Sequence, residues 1–358
     1  MAYTTIDDPS AHFDVTIWTG SGGARTISGL NHKPDLIWTK TRSVAYNHML
    51  SDSSRGFNAN SELGTNSTAA EGGLSAETYG YKSGHTSDGW TMVDGTDTVD
   101  GQEDGNTNQP SVTYVGWTWA ANGGNTSSNT NGTITSTVQA NTTAGFSIVT
   151  FTGTGTDGDS YGHGLTSAPE LVIPKRRDGT TNWQGYAFDG GNSQYWYLNL
   201  GNAFTSTSGN SAASSSSVIT TDGSGDSNPS GGTVVSYCFH SVQGYSKIGR
   251  YNGNGNADGP FVYLGFKPAW LMIKRTDASS DGWYIFDSTR SPTNLVNKAF
   301  RANSSNAESG ESIDLLSNGF KHRIGGNNNF NNASGTYIYM AFAEQPFVSS
   351  EGVPATAR

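Results

Sequence analysis

The chain has 358 residues, a formal net charge of −10 and a sequence pI of about 5.0. This acidity disfavours nucleic acid and anionic membrane surfaces as partners, and no cluster of lysine and arginine offsets it. The single cysteine, Cys238, excludes a disulfide within the chain. Only 33% of the residues are hydrophobic, 47 are glycine, and no long run has a helical period. We therefore predict an all-β fold of strands joined by polar turns.

The first nine residues precede every recognisable repeat. They lack the basic and apolar regions of a secretory signal, so we expect synthesis in the cytoplasm without export by that route. Because residues 1–9 belong to no repeat, we hypothesise that they are an attachment peptide for another protein. No stretch of the sequence combines the length and the apolar character needed to cross a bilayer, and we expect no membrane insertion.

A repeated segment is the strongest pattern in the sequence. In each copy a proline is followed six positions later by a lysine, with a mainly apolar strand between them. An aromatic-x-Gly turn precedes each copy, and a second strand closes each module. The proline-to-lysine segments occupy residues 34–40, 169–175 and 268–274, and the closing strands occupy residues 113–119, 233–239 and 336–342. Self-similarity of this kind indicates an array of related modules.

The three closing strands align without a gap. Side chains alternate between the two faces of a strand, so one face of these strands carries nine large and mainly apolar residues. They are Val115, Trp117, Trp119, Val235, Tyr237, Phe239, Ile338, Met340 and Phe342. The pattern predicts half-buried antiparallel strands in one register, with each module burying its own aromatic-lined sheet.

We predict three tandem, related antiparallel β-sandwich modules, jelly-roll-like in a broad sense. The modules span residues 1–122, 143–241 and 242–348, and a stretch rich in Gly, Asn, Thr and Ser separates the first two. The N-terminal module carries two long polar loops, residues 58–89 and 94–110, which we expect to protrude. The tail after residue 347 is expected to be mobile.

Several segments of the second and third modules resemble repeats of tail-fibre-type structural proteins of tailed bacteriophages. The resemblance rests on residues 145–155, 162–165, 169–175, 237–255 and 337–347, and it covers most of residues 143–347. It implies a bacteriophage virion surface structural protein, exposed on the extracellular particle, that contacts the host cell surface. It implies no catalytic residue and no cofactor, so we expect no enzyme activity.

Two other functions stay open. The first is a capsid-decorating or head-fibre protein that stabilises the shell. The second is a polysaccharide depolymerase on a β scaffold. The expected partners are other virion proteins, a host surface glycan or receptor, and further copies of the chain. We predict a homotrimer, both by analogy with phage components at three-fold positions and because small modules without disulfides need extra burial.

An aromatic cluster is the best candidate for ligand contact. Tyr195, Trp196 and Tyr197 are adjacent, so on a strand the two tyrosines share one face and the tryptophan points to the other. One of these two sets is expected to be core. The other could stack on a sugar.

Three further features are considered as a catalytic base, a calcium site and a reactive thiol. His163 lies between two glycines and is interpreted as a packed turn residue rather than a base. The acidic run at residues 94–105 could surround calcium, although it lacks EF-hand spacing, and a solvated loop is the simpler interpretation. Cys238 is expected to be a small packing residue, and we predict neither a catalytic nor a metal site.

Overall fold

The computed structural model describes residues 3–99, 103–188, 193–207, 212–279, 282–326 and 329–355. Within these ranges the chain is almost entirely β, as predicted. The helices are short: two 3-10 turns at Pro9–Ala11 and Ala59–Ser61, and one α-helix, α1, at Ala76–Tyr79. No helix in the described residues is long and apolar enough to cross a membrane.

Each module contributes its own set of strands. The first contains β1 (Phe13–Thr19), β2 (Arg25–Ser28), β3 (Leu36–Thr41), β4 (Met49–Asp52), β5 (Tyr81–Thr86), β6 (Gly89–Val93) and β7 (Thr113–Trp119). The second contains β8 (Ser127–Asn129), β9 (Ser136–Asn141), β10 (Phe146–Thr152), β11 (Asp157–Gly162), β12 (Leu171–Arg176), β13 (Gln184–Ala187), β14 (Gln194–Tyr197), β15 (Thr205–Ser206), β16 (Ala213–Ser214), β17 (Val218–Asp222) and β18 (Thr233–Phe239). The third contains β19 (Ser246–Asn252), β20 (Phe261–Tyr263), β21 (Phe266–Arg275), β22 (Tyr284–Asp287), β23 (Phe300–Arg301), β24 (Ile313–Leu316), β25 (Gly319–His322) and β26 (Thr336–Pro346).

Every module has one large and one small antiparallel sheet, and the strands that the modules have in common follow the same order. The large sheets are β1-β7-β3-β4, β15-β14-β13-β12-β18-β10-β9-β8 and β19-β26-β21-β22-β23. The small three-stranded sheets are β2-β6-β5, β11-β17-β16 and β20-β25-β24. In all three large sheets the closing strand lies between the strand that leads into the aromatic-x-Gly turn (β1, β10 or β19) and the proline-to-lysine strand. The repeat in the sequence is therefore a repeat in topology.

The predicted register of the closing strands is confirmed. Trp38 pairs with Trp117, Ile173 with Tyr237 and Met272 with Met340, which places the three copies at equivalent positions. Two residue pairs further along, the three repeated lysines pair with Val115, Val235 and Ile338. A one-residue slip in any copy would have moved its bulky side chains to the opposite face.

The expectation that each module buries its own aromatic-lined face is wrong. The nine bulky residues of the closing strands all belong to one core that the three large sheets share. Trp119, Phe239 and Phe342 meet there, with ring centroids 5.6 to 6.4 Å apart. Burial of large aromatic rings is strongly favourable, and three such faces turned toward one another exclude water without a covering sheet. The modules are therefore lobes of one body.

The opposite face of each large sheet packs on the small sheet of its own module. Separate apolar clusters lie between these sheets in the first, second and third modules. The small residues on this face leave room for large side chains from the small sheet. At Gly116, for example, a β-carbon would lie only 2.9 Å from the Trp90 ring.

Equivalent lysines lie buried where the modules meet. Lys40, Lys175 and Lys274 are each at most 1% exposed. Each reaches a different module: Lys40 lies over the Phe300 ring at 5.2 Å, Lys175 donates to the Thr68 carbonyl at 3.1 Å, and Lys274 donates to the Gly201 carbonyl at 3.3 Å. The first module thus contacts the third, the second contacts the first, and the third contacts the second. The contacts close into a ring.

A second repeated contact follows the same cyclic order. The residue just before β4, β13 or β22 donates a ring N–H to a backbone carbonyl of the neighbouring module. These bonds run from His48 to Arg301 (3.1 Å), from Trp183 to Gly64 (2.9 Å) and from Trp283 to Tyr197 (3.0 Å). His48 Nδ1 accepts the Trp38 indole N–H, which fixes the proton on His48 Nε2. Burial lowers the pKa of His48 well below its usual range, so the ring is neutral.

Two of the three boundaries also contain a buried ion pair. Asp52 binds Arg55 and accepts the Tyr237 hydroxyl of the second module at 2.7 Å. Asp287 binds Arg290 in the same way and accepts the indole N–H of Trp117 from the first module at 3.0 Å. All four charged side chains are fully buried.

A bridging glutamate extends each of these ion pairs across the boundary. Glu71 contacts Arg55 of its own module at 2.7 Å and Arg177 of the second module at 2.8 Å. Glu308 contacts Arg290 at 3.4 Å and Arg42 of the first module at 2.7 Å. Shared carboxylates of this kind hold two arginines with one fixed side chain, and they link neighbouring modules by charge-assisted hydrogen bonds.

The third boundary replaces these charges with apolar residues. Ala187 occupies the register position of Asp52 and Asp287, and Met340 occupies that of Trp117 and Tyr237. Phe204 occupies the position of Glu71 and Glu308, as an equivalent backbone hydrogen bond shows. The Phe204 N–H donates to the Thr276 carbonyl, just as Glu71 donates to that of Arg177 and Glu308 to that of Arg42. The aspartate acceptor, the aromatic donor and the bridging glutamate are all replaced at this boundary. None of these three replacements therefore leaves a partner of the ion pair buried alone.

Three predicted segments differ from expectation. The stretch between the first two modules contributes β8 and β9 to the second large sheet. The N-terminal segment is not free: Ile6 is 3% exposed in the shared core, and Thr4 donates to the Gln243 carbonyl at 2.9 Å. In the tail, the Ser350 backbone N–H donates to Asp7 at 2.7 Å. Residues 3–9 are thus part of the fold. Burial of the Ile6 side chain is more favourable than its exposure to water, and this favours the docked position of the segment.

Candidate functional site

A cavity lies where loops of the first module meet the third. Its volume is about 500 Å³. Its walls come from residues 45–47, 67, 73–75, 79 and 105–106 of the first module, together with Ser305 of the third. Clefts at the boundary between structural units are common ligand sites, and we call this one the boundary cleft.

The first long loop folds back instead of protruding. Asn58 caps the short turn Ala59–Ser61 through a reciprocal capping box. Beyond it, Leu74 and Ala76 pack with Met49 and Ala59 in a small apolar cluster. This cluster holds α1 on the edge of the large sheet. The end of the predicted loop is not a loop at all, because it forms β5 and the first residue of β6 in the small sheet.

The second long loop is tied to the first. The Asn106 N–H donates to the Tyr79 carbonyl at 2.9 Å, and the Trp18 indole donates to the Thr107 carbonyl at 3.1 Å. Thr107 is buried, so this loop is also packed and not a free projection. Both extra loops of the first module, which have no counterpart of equal length in the other two, therefore converge on the boundary cleft.

The lining of the boundary cleft is polar and uncharged. It comprises Ala45, Tyr46, Asn47, Ser67, Gly73, Leu74, Ser75, Tyr79, Gly105, Asn106 and Ser305. Amides, hydroxyls and two phenol rings can form hydrogen bonds and ring contacts. A charged ligand would find no opposite charge among these residues.

The predicted aromatic cluster is divided by the structure. Trp196 is fully buried in the shared core, 4.3 Å from the Trp283 ring and stacked on Phe204. It packs as core and cannot stack on a sugar. Tyr195 and Tyr197 lie on the opposite face of β14, half-buried, with their rings in edge contact at 5.9 Å.

The residues considered for acid–base or thiol chemistry are buried packing residues. His163 accepts the Leu165 N–H and donates to the Ser215 carbonyl, and burial lowers its pKa to about 4. Cys238 is fully buried, and burial raises the pKa of its thiol to about 12. A nucleophile needs a thiolate that solvent can reach, so Cys238 does not provide one in the folded chain.

The acidic run brings three carboxylates together. Burial raises the pKa of Asp94 to about 6, assisted by a hydrogen bond with Asp104 and by the charges of Asp104 and Glu103. Residues 100–102 of this run lie outside the described residues. Among those described, no group of three side chains is arranged to hold a metal ion. Asp94 therefore keeps its proton to a higher pH than an isolated aspartate does.

A buried asparagine in each module escaped the sequence analysis. Asn108, Asn228 and Asn331 each lie five residues before a closing strand and are fully buried. Each side-chain oxygen accepts a backbone N–H just after the aromatic-x-Gly turn: from Ser21 (3.2 Å), Thr154 (2.9 Å) and Asn254 (2.9 Å). Extending the alignment of the closing strands by five residues toward the N-terminus would have revealed them.

Comparison with known proteins gives a family. The chain matches the model of a domain of unknown function, DUF7483, over residues 8–346, and it belongs to that family. The match covers all three modules, so the family domain is the whole three-lobed body. No curated protein and no solved structure matches the chain.

Proposed function

We propose that this member of DUF7483 is a bacteriophage virion surface protein, a tail-fibre-type component that contacts the host cell. The observation that carries the proposal is the closure of three modules around one core within a single chain. A body of this kind is pseudo-three-fold, and it presents the outer surfaces of three related modules. The resemblance of residues 143–347 to phage fibre repeats supports the same conclusion.

A second candidate is a decoration or head-fibre protein of the capsid. The internal three-fold arrangement favours it, because one chain could occupy a three-fold position of a shell without further copies. The homotrimer stays a prediction. Its physical reason, the need of small modules for extra burial, is met here between modules of one chain, and native mass spectrometry of the purified protein would measure the copy number.

Immunogold labelling of purified virions tests the proposal. A tail-fibre-type component predicts a few gold particles at the tail. Gold spread over the head in many copies would replace it with the decoration function. Virions that carry no label, from cells in which the protein is expressed and stains on a blot, would overturn both.

A further inference from the structure

The boundary cleft has a composition that selects its ligand. None of the eleven residues that line it is charged, although 14% of the chain is Asp, Glu, Lys or Arg. Anions such as phosphate, sulfate or uronate are recognised through arginine, lysine or clustered backbone N–H groups. A neutral ligand rich in hydroxyl groups matches amides, hydroxyls and phenols, and it leaves no buried charge unpaired.

Two phenol rings are available in the cleft. Tyr79 is 36% exposed, and no ring of another described residue packs against it or against Tyr46. The Tyr46 hydroxyl donates to the Gln109 side chain at 3.1 Å, which holds the ring in place. Phenol rings with one free face offer apolar contact area at little cost in conformational entropy.

Two amide side chains present one free donor and one free acceptor. The Asn47 oxygen accepts the Asn66 amide at 2.8 Å, which leaves the NH₂ group of Asn47 to donate. The NH₂ group of Asn106 donates to the Gly80 carbonyl at 3.3 Å, which leaves its oxygen to accept. A hydroxyl both donates and accepts, so neighbouring hydroxyls of a sugar ring can satisfy both amides.

The walls of the cleft are already ordered. The Thr78 and Tyr79 N–H groups donate to the Ser75 carbonyl at 2.9 and 3.1 Å, which fixes the turn that carries Tyr79. Ser75 itself adopts a left-handed conformation, with φ of 55°, that side chains other than glycine rarely take. A site that is formed before its ligand arrives loses less entropy on binding.

We propose that the boundary cleft binds a neutral oligosaccharide through Tyr46, Tyr79, Asn47 and Asn106. The inference deepens the proposed function, on which it rests for its setting, by giving the host contact a chemical class: an uncharged glycan of the cell envelope. Ser305 adds a hydroxyl from the third module, so the complete site exists only in the closed three-module body.

Binding of a saccharide panel to the purified full chain tests the proposal. Immobilised neutral hexose and hexosamine oligosaccharides are compared with sulfated and uronate-containing ones of equal length. We expect binding to neutral members only, and binding at least about tenfold weaker for Tyr79→Ala. The matched control is Tyr263→Ala, which removes a tyrosine that is 47% exposed on the third module, outside the cleft. Circular dichroism and thermal melting establish that both variants fold.

Three outcomes would overturn the site. They are binding of the anionic saccharides alone, no binding to any member of the panel, and equal affinities of wild type and Tyr79→Ala. Release of new reducing ends from a bound saccharide would replace a binding site with a depolymerase. The immunogold experiment does not depend on any of these results, so the cleft can fail while the virion location stands, and the reverse.

Discussion

The indole N–H of Trp117 donates a 3.0 Å hydrogen bond to Asp287, a carboxylate in a different module that is 170 positions away in the chain. The same carboxylate binds Arg290, and both charged side chains are fully buried. One acid therefore neutralises a core arginine and fastens the closing strand of the first module to the third.

Replacing Asp287 with alanine is expected to lower the free energy of unfolding by about 3–5 kcal/mol, because Arg290 would stay buried and lose its shorter ion pair, keeping the contact with Glu308 at 3.4 Å. Urea unfolding followed by tryptophan fluorescence measures the loss. The control is Asp178→Ala, which removes an ion pair with Arg176 that is about one-third exposed and should cost about 1 kcal/mol or less. Equal losses for the two variants would contradict the role of the buried pair.

Lys40 should make stability depend on pH in the alkaline range. Burial lowers its pKa from 10.5 in the unfolded chain to about 7 in the folded protein. Between these values the unfolded state binds more protons, so stability rises with pH from about 7 to 10.5, and the gain disappears as pH falls through 7. Lys40→Met removes this dependence and is expected to stabilise the protein at pH 7 by about 2 kcal/mol.

The measurement for Lys40 is the difference between wild-type and Lys40→Met unfolding free energies across pH 6 to 10. Subtracting the two curves cancels the titration of every other group. We expect the stability advantage of Lys40→Met over wild type to decrease steadily above pH 7, because the wild type gains stability as Lys40 loses its proton in the folded state. A constant difference would mean that Lys40 keeps the same charge in both states.

Gly153 should tolerate no side chain. A β-carbon there would overlap the Pro229 carbonyl, and the backbone cannot retreat because Gly153 exchanges hydrogen bonds with Gly232 and Gly231. Gly153→Ala is expected to cost about 3 kcal/mol. Gly310, which has open space around it and no positive φ, provides the control. If Gly310→Ala lowers the melting temperature as much as Gly153→Ala does, close packing is not the reason.

Asp94 should oppose folding above neutral pH. Its folded pKa of about 6 lies above the value of 3.8 for the unfolded chain. The folded state therefore binds more protons between these values, and its stability is greatest below about 4 and falls as pH rises through 6. Asp94→Asn is expected to melt at a higher temperature than wild type at pH 7.5, and at the same temperature at pH 4.

The same melting experiment tests calcium at the acidic run. If the run is a solvated loop, added calcium leaves the melting temperature unchanged. A rise on adding calcium, abolished by Asp104→Asn, would favour the cation instead.

The sequence was sufficient to predict the repeat, the all-β class and the register, because all three follow from alternation and spacing. It could not predict which surface covers the bulky face. Alternation shows that Trp117 and Trp119 share a side of the strand, but the same pattern fits a covering sheet and a neighbouring module equally well. Here the neighbour covers that face, since two further copies with the same shape are tethered to the chain.

The candidate site was harder to predict. Tyr195, Trp196 and Tyr197 stood out because they are consecutive in the sequence, whereas Tyr46, Tyr79 and Asn106 come together only when two loops fold back onto the first module. The boundary pairs were visible but overlooked: Asp52-Ser53-Ser54-Arg55 and Asp287-Ser288-Thr289-Arg290 are a repeated motif. The second module lacks this motif, and the third module, which faces it, has Met340 at the position of the aromatic donors Trp117 and Tyr237.

The ring of modules closes between its first and last members, through Arg42 and Glu308. During synthesis the first module leaves the ribosome with its docking surface for the third module uncovered, because the third module is translated last of the three. A nascent or truncated chain therefore exposes an aromatic-rich face until the third module is complete. A chain that ends before the third module is complete should therefore bind a chaperone or aggregate. A chain that contains all three modules buries this face.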